Sequence, residues 1–244
     1  MYILKFKNCR VCVTPLVALV EMIVIFCVIQ AFAPMKGLAL GVVDSLIISA
    51  LIFTGSLGSL LLHEYAHMLA ARRVGLPVQE MIISPFGAYT VVGSEMVTLK
   101  GAFMIPAAGP LINIVLGIIF YAGHLLFIES NIVGTVFFCM SVFNGIIGAY
   151  NLMPVMPLDG GILVRSVFWN ASSNFSWANQ ISFAIGAKFI LICVLAGIVT
   201  ICMFHPGISI IFFLMGFSLG QGAKSAYHLS IVSQYSRALF PGNR

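Results

Sequence analysis

The sequence predicts an all-α polytopic membrane protein of about six transmembrane helices, with a small β-like re-entrant or juxtamembrane element after the second. Three observations carry that reading. Of 244 residues, 61% are hydrophobic and only 8% are charged, where a soluble domain carries roughly 25% charged residues. The apolar residues fall into runs long enough to cross a bilayer, which takes about 20 residues per helix. The cationic residues alternate between the segments that join those runs: eleven of the twelve Lys+Arg lie in every second segment, and Lys36 is the exception. With a mean hydropathy of +1.10, the surplus apolar surface must face lipid. A water-soluble enzyme, a nucleic-acid binder and a disordered chain are excluded, and no stretch is left for a separate soluble domain.

The first run covers about 13–33 and follows Lys5, Lys7 and Arg10. A secretory signal opens in the same way, and Ala31-Phe32-Ala33 resembles a cleavage site. The run is longer than the roughly 7–15 residues of a signal core, and Pro34 would follow the cut. It is therefore read as a retained span. The second run, about 45–71, ends at Arg72-Arg73. A stretch over 81–92 follows, rich in β-branched and aromatic residues and interrupted by Ser84-Pro85 and Gly87, which predicts a hairpin or a loop with strand character. Further spans are expected at about 102–128, 132–152, 185–204 and 208–227, with a more polar segment over 165–180 before the fifth. Cytoplasmic loops carry the Lys/Arg excess, so both termini are expected in the cytoplasm.

Six cysteines are spread thinly. Cys27, Cys139 and Cys193 lie inside apolar runs, where a thiol behaves as a small hydrophobe. Cys9-Arg-Val-Cys12 has the C-x-x-C spacing, but no second pair or nearby histidine completes a metal site.

The chemistry is concentrated in His63-Glu64-Tyr65-Ala66-His67. Residues four apart stand on one face of a helix, so His63 and His67 can reach one metal ion while Glu64 acts on a water beside it. An ionisable group at the centre of a membrane helix costs about 2.5 kcal/mol or more. Three such groups in five residues call for a partner, and a cation meets that need better than mutual hydrogen bonding. Nine residues separate His63 from Arg72, about 13 Å of helix, which puts the site inside the membrane near its cytoplasmic side. A catalytic zinc takes three protein ligands and keeps a fourth position open. Glu21 lies midway along the first run, while Asp44, Glu80, Glu95 and Glu129 fall in expected loops. Asp159 is the best third ligand. It follows a span that ends on the same side as His67, Pro154 and Pro157 break the helix before it, and Gly160 and Gly161 permit close approach. Asn113 either approaches the site or makes an interhelical hydrogen bond, and His124, His205 and His228 are read as interfacial.

His63-Glu64-x-x-His67 in one span, with Asn151-x-x-Pro154-x-x-Pro157-Leu158-Asp159-Gly160-Gly161 at the end of a later one, resembles the site-2 protease family of intramembrane zinc metalloproteases. The likeness covers about 51–164 and includes Pro85-Phe86-Gly87 and Gly109-Pro110. It implies one Zn2+ per chain, held by His63, His67 and Asp159, with Glu64 as the catalytic acid/base and Asn151 engaging substrate. It also implies a single metalloprotease domain over 1–244 with its catalytic core at about 45–164, similar to the compact six-span members that lack PDZ and CBS domains. The expected substrate is a single-pass membrane protein cut within its transmembrane segment, and the expected location is the cell (inner) membrane, with the lipid bilayer as partner and no nucleic acid. An edge strand over 81–92 would pair with locally unwound substrate; an ordinary cytoplasmic loop is the other reading. Two rivals stand beside the protease: a membrane metal-ion transporter using the His/Asp cluster as a transit site, and a binding protein that kept zinc and lost activity. Intact Glu64 argues against the second.

Overall fold

The computed structural model of the chain describes residues 2–6, 9–13, 22–23, 25–30, 40–76, 78–84, 87–92, 98–202, 215–217, 219–224 and 227, with backbone only for the strands. Two compact units, Met1–Tyr150 and Asn151–Arg244, each have their own internal packing. Four described helices are long and apolar enough to cross a membrane. The spans expected at 13–33 and 208–227 lie only in part within the described residues, and Glu21, Glu95, His205 and His228 lie outside them.

The first unit begins with strands β1 (Tyr2–Phe6) and β2 (Cys9–Val13). Later in the chain come β3 (Val78–Ser84) and β4 (Gly87–Val92). The four form one sheet in the order β1-β2-β3-β4. Outer pairs are antiparallel, and β2 runs parallel to β3 with Cys9 opposite Met81 and Val11 opposite Ile83. Residues 2–6 and 9–13, at the start of the chain and up to the first residue of the first expected span, thus belong to the sheet.

Helix α1 (Val42–Arg73) lies between the two hairpins. Its start is held by Asp44, whose Oδ2 accepts the Gly41 N–H at 3.3 Å, so this carboxylate serves a cap. Its end is fixed by Gly75 at φ +79°, a left-handed conformation that costs a residue with a Cβ but not glycine. The Leu76 N–H reaches the Ala71 carbonyl at 3.0 Å and the Gly75 N–H the Arg72 carbonyl at 3.1 Å, a Schellman stop. Arg72 and Arg73 in the last turn complement the helix dipole. The buried residues of α1 include its polar groups Ser45, Ser49, Ser56, Ser59, His63, Glu64 and His67, alongside Ile48, Ile52, Ala70 and Ala71. Leu46, Ile47, Leu51, Leu57, Leu61 and Leu62 are exposed. Apolar outside and polar inside is the pattern that a lipid solvent selects.

Helix α2 (Leu99–Leu126) contacts α1. It starts on Thr98, whose hydroxyl accepts the Gly101 N–H at 3.2 Å, and it contains Pro106 and Pro110. Helix α3 (Asn131–Asn151) packs closely on α2, because a Cβ at Gly123 would run into the Phe137 ring. Ser141 also donates its hydroxyl to the Gly117 carbonyl at 2.9 Å. Met140, Ile48, Ile52 and Ile29 form the buried apolar cluster.

In the second unit, α4 (Asp159–Ser172) and α5 (Phe175–Cys202) are joined by a tight turn at Ser173, which has φ +55°. Asn174 then caps α5, its Oδ1 accepting the Trp177 N–H at 3.0 Å. The polar segment expected over 165–180 is therefore two helices with a sharp corner. Its polarity belongs to the exposed corner and to Arg165, which stacks on Phe175 at 5.0 Å and whose guanidinium burial pushes below its ordinary pKa. Ser182 ties α5 to α4 through the Gly161 carbonyl at 2.8 Å.

Candidate metal centre

His63, Glu64 and His67 occupy a single turn of α1, and all three are buried. Their helix dictates the geometry: the two imidazoles rise from one face, meet at right angles with centroids 4.7 Å apart, and bring their Nε2 atoms to 3.1 Å. Each ring is anchored by its other nitrogen, and both anchors belong to α2. His67 Nδ1 bonds to the Ile105 carbonyl oxygen at 2.6 Å. A carbonyl can only accept, so His67 carries its proton on Nδ1 and turns the Nε2 lone pair inward. Pro106 and Pro110 cannot donate to the carbonyls four residues back, which loosens the ladder of α2 where it meets the histidines. His63 Nδ1 bonds to Asn113 Oδ1.

Gly109 completes the enclosure. A Cβ at this position would collide with the Nε2 atoms of both His63 and His67. The histidines thus point at bare backbone, and the space in front of them is one that any larger residue would fill. This cradle is a test of whether a metal ion fits. Zinc binds imidazole nitrogen at about 2.0–2.1 Å in tetrahedral sites, which sets two nitrogen ligands roughly 3.3 Å apart. The observed 3.1 Å agrees. Two converging nitrogens, each steered by a hydrogen bond on its far side, are also what metal-ligating histidines show. The residues fit.

Of the remaining carboxylates, Asp44 caps α1 and Glu129 lies in the turn between α2 and α3, while the side chain of Glu80 is outside the described residues. In the second unit, Asp159 is the first residue of α4 and Asn151 the last of α3. Gly160 and Gly161 act within that unit: a Cβ on the first would strike the backbone of Leu152 and Met153, and on the second the backbone of Val155 and Met156. The close approach they permit is to the loop just before them.

Two buried residues escaped the sequence reading. Asn144 on α3 and Ser59 on α1 continue the hydrogen bonding behind Asn113. A helical-face plot places Ser59 one turn before His63, but nothing local announces Asn144. His124 bonds the Gly134 carbonyl at 2.9 Å and so links α2 to the start of α3.

Comparison with known proteins sets this site in context. The pattern of Peptidase family M50 matches residues 51–133 and 126–196. A Mycobacterium tuberculosis protein named zinc metalloprotease Rip3 is 40% identical over 116 residues, which is 46% of this chain and 30% of that one. A zinc metalloprotease of Methanocaldococcus jannaschii is 26% identical over 164 residues, 67% of this chain and 47% of its own length. One from Synechocystis is 27% identical over 190 residues, 74% and 48% respectively. The chain thus matches 30–48% of the length of these relatives. In fold it is similar to the site-2 protease from Methanocaldococcus jannaschii, with a TM-score of 0.55 at 21% identity, covering 91% of this chain and 95% of that one.

Proposed function

The chain belongs to Peptidase family M50, and from that premise we propose that it is an intramembrane zinc metalloendopeptidase acting on single-pass membrane proteins. The observation that carries the proposal is the His63–His67 pair: two buried nitrogens 3.1 Å apart, aimed at a glycine that leaves room for an ion. Asp159 supplies the third ligand, one Zn2+ per chain. When bound, zinc supplies Lewis acidity, which eases deprotonation of water and polarises a peptide carbonyl.

This chain's own residues do the rest. His63 and His67 bind through Nε2, held by their Nδ1 contacts to α2. Glu64, buried in the same turn, takes the proton of the attacking water and returns it to the leaving amine. A carboxylate buried among apolar helices is suited to this because no bulk water competes for the proton. Asn151 engages the substrate backbone. A helical substrate hides its peptide bonds, and exposing them in lipid forfeits hydrogen bonds. The edge strand β4 would offer replacements by pairing with an unwound segment.

The catalytic core is about 45–164, in a single domain with six spans in the cell (inner) membrane. With six spans, eleven of the twelve cationic residues fall in alternate segments, which supports cytoplasmic termini and a site near the cytoplasmic face. The cut should then fall in the cytoplasmic third of the substrate's span, helped there by residues of low helix propensity. The family match favours this reading over metal transport. Cleavage of candidate single-span proteins in vesicles tests it: wild type should cut and Glu64→Gln should not, and a cut consistently in the outer half of the substrate span would overturn the placement.

A further inference from the structure

Behind His63 runs a buried chain of side-chain amides that has a direction. His63 Nδ1 meets Asn113 Oδ1, Asn113 Nδ2 donates to Asn144 Oδ1 at 2.9 Å, and Asn144 Nδ2 donates to the Met140 carbonyl at 2.9 Å and to Ser59 Oγ at 3.1 Å. Asn113 and Asn144 are both fully buried. An amide can be turned end for end, so its orientation is set by its partners. The Ser59 hydroxyl accepts either end. The Met140 backbone carbonyl does not, because it has no hydrogen to give. Asn144 must therefore present its NH2 to Met140 and its oxygen to Asn113. Asn113 must then present its NH2 to Asn144 and its oxygen to His63, and His63 must carry its proton on Nδ1.

That outcome opposes what the two histidines would do alone. His67 is already fixed with a bare Nε2 by the Ile105 carbonyl. With the two Nε2 atoms 3.1 Å apart, a His63 protonated at Nε2 would donate straight to His67 and close the pair against any cation. We propose that the backbone carbonyl of Met140, relayed by Asn144 and Asn113, holds His63 in the Nδ1–H tautomer and so keeps both Nε2 lone pairs turned toward a metal. Asn113 and Asn144 are positioning residues. They act through the ring of His63, Asn113 directly from α2 and Asn144 one step further back from α3. The inference rests on the metal site proposed above, but its first measurement does not need the metal.

That measurement is 15N NMR of the metal-free full chain in detergent at about pH 8, with labelled histidine and the His63 signals assigned by their loss in His63→Gln. The expected result is a protonated Nδ1 and a bare Nε2 on His63. A proton on His63 Nε2 would overturn the proposal with no variant involved. Zinc affinity is then measured by chelator competition. Outer partners of metal-binding histidines are typically worth 10–100-fold in affinity. Asn113→Leu and Asn144→Leu should each weaken zinc binding about tenfold or more and move the His63 proton to Nε2. Asn113→Asp, which keeps an acceptor facing Nδ1, should restore the tautomer and most of the affinity. Ser59→Ala should change affinity less than threefold, since a hydroxyl imposes no direction. Loss in Ser59→Ala equal to that in Asn144→Leu, or wild-type affinity in both leucine variants, would refute the relay. A wild-type chain that binds no zinc would instead refute the metal site, and the tautomer would still judge the relay.

Discussion

Replacing Gly109 by alanine should disable the site while leaving the helix that carries it intact. The added methyl would stand 2.6 Å from His63 Cε1 and nearer still to both Nε2 atoms. Carbon needs about 3.5 Å from such neighbours, so about 0.9 Å must be taken up at Cε1 and more at the two nitrogens. The rings cannot retreat freely, because Asn113 and Ile105 hold them from the same helix that carries the methyl. The remaining response is for α2 to back away from α1 or for the ligand pair to splay. A misplacement of about 1 Å at a reacting centre costs on the order of 100-fold in rate. Zinc affinity should fall at least tenfold, as for other losses of ligand alignment. Alanine in a helix interior is favoured over glycine by up to about 1 kcal/mol, so the backbone of α2 has no reason to weaken. Gly145→Ala is the control, since a Cβ there meets nothing within 4 Å. Chelator competition, cleavage of a single-span substrate and thermal unfolding in detergent report the three effects. Wild-type zinc affinity and rate in Gly109→Ala would refute the reasoning.

Asp159→Asn should weaken zinc retention, because a neutral amide is a poorer ligand than a carboxylate; unchanged zinc content under chelator challenge would remove Asp159 from the ligand set. Gly75→Ala should lower stability by about 1 kcal/mol through the left-handed residue that ends α1, readable as a lower unfolding midpoint, and an unchanged midpoint would show that the stop tolerates a Cβ. Thiol labelling of single-Cys chains should mark positions near 75 and 235 only from the cytoplasm and positions near 38 and 206 only from outside, and the reverse pattern would invert the topology.

The histidine pair was legible because helical periodicity alone puts residues 63 and 67 on one face, and the cost of burying them in lipid singles them out. Four of the expected spans needed only length and apolarity; three have ends shifted by a few residues, while the one expected from about 185 starts ten residues earlier, at Phe175. Other features depend on information that is not local. Residues 9–11 pair with 81–83 across the whole of α1, and no nearby pattern announces a partner seventy residues away. Helix α4 was hidden because Pro154 and Pro157 break the helix just before Asp159 and two glycines follow it; the glycines are there because the preceding loop crosses within backbone contact. Gly109 stood in the sequence as part of Gly-Pro, but its meaning depends on the rotation of α2 against α1. Asn113 was left between two readings, and Asn144 and Ser59 were not singled out, since a hydrogen bond from α2 to α3 to α1 is visible only once three helices are set side by side.

X-ray absorption at the zinc edge on the purified full chain, with the metal quantified per chain, tests the central claim most directly. One zinc per chain is predicted, bound by two imidazole nitrogens at about 2.0–2.1 Å with oxygen completing the shell, and His63→Ala or His67→Ala should abolish the signal. A metal-free chain under zinc-replete conditions, or a shell dominated by sulfur at about 2.3 Å, would contradict it.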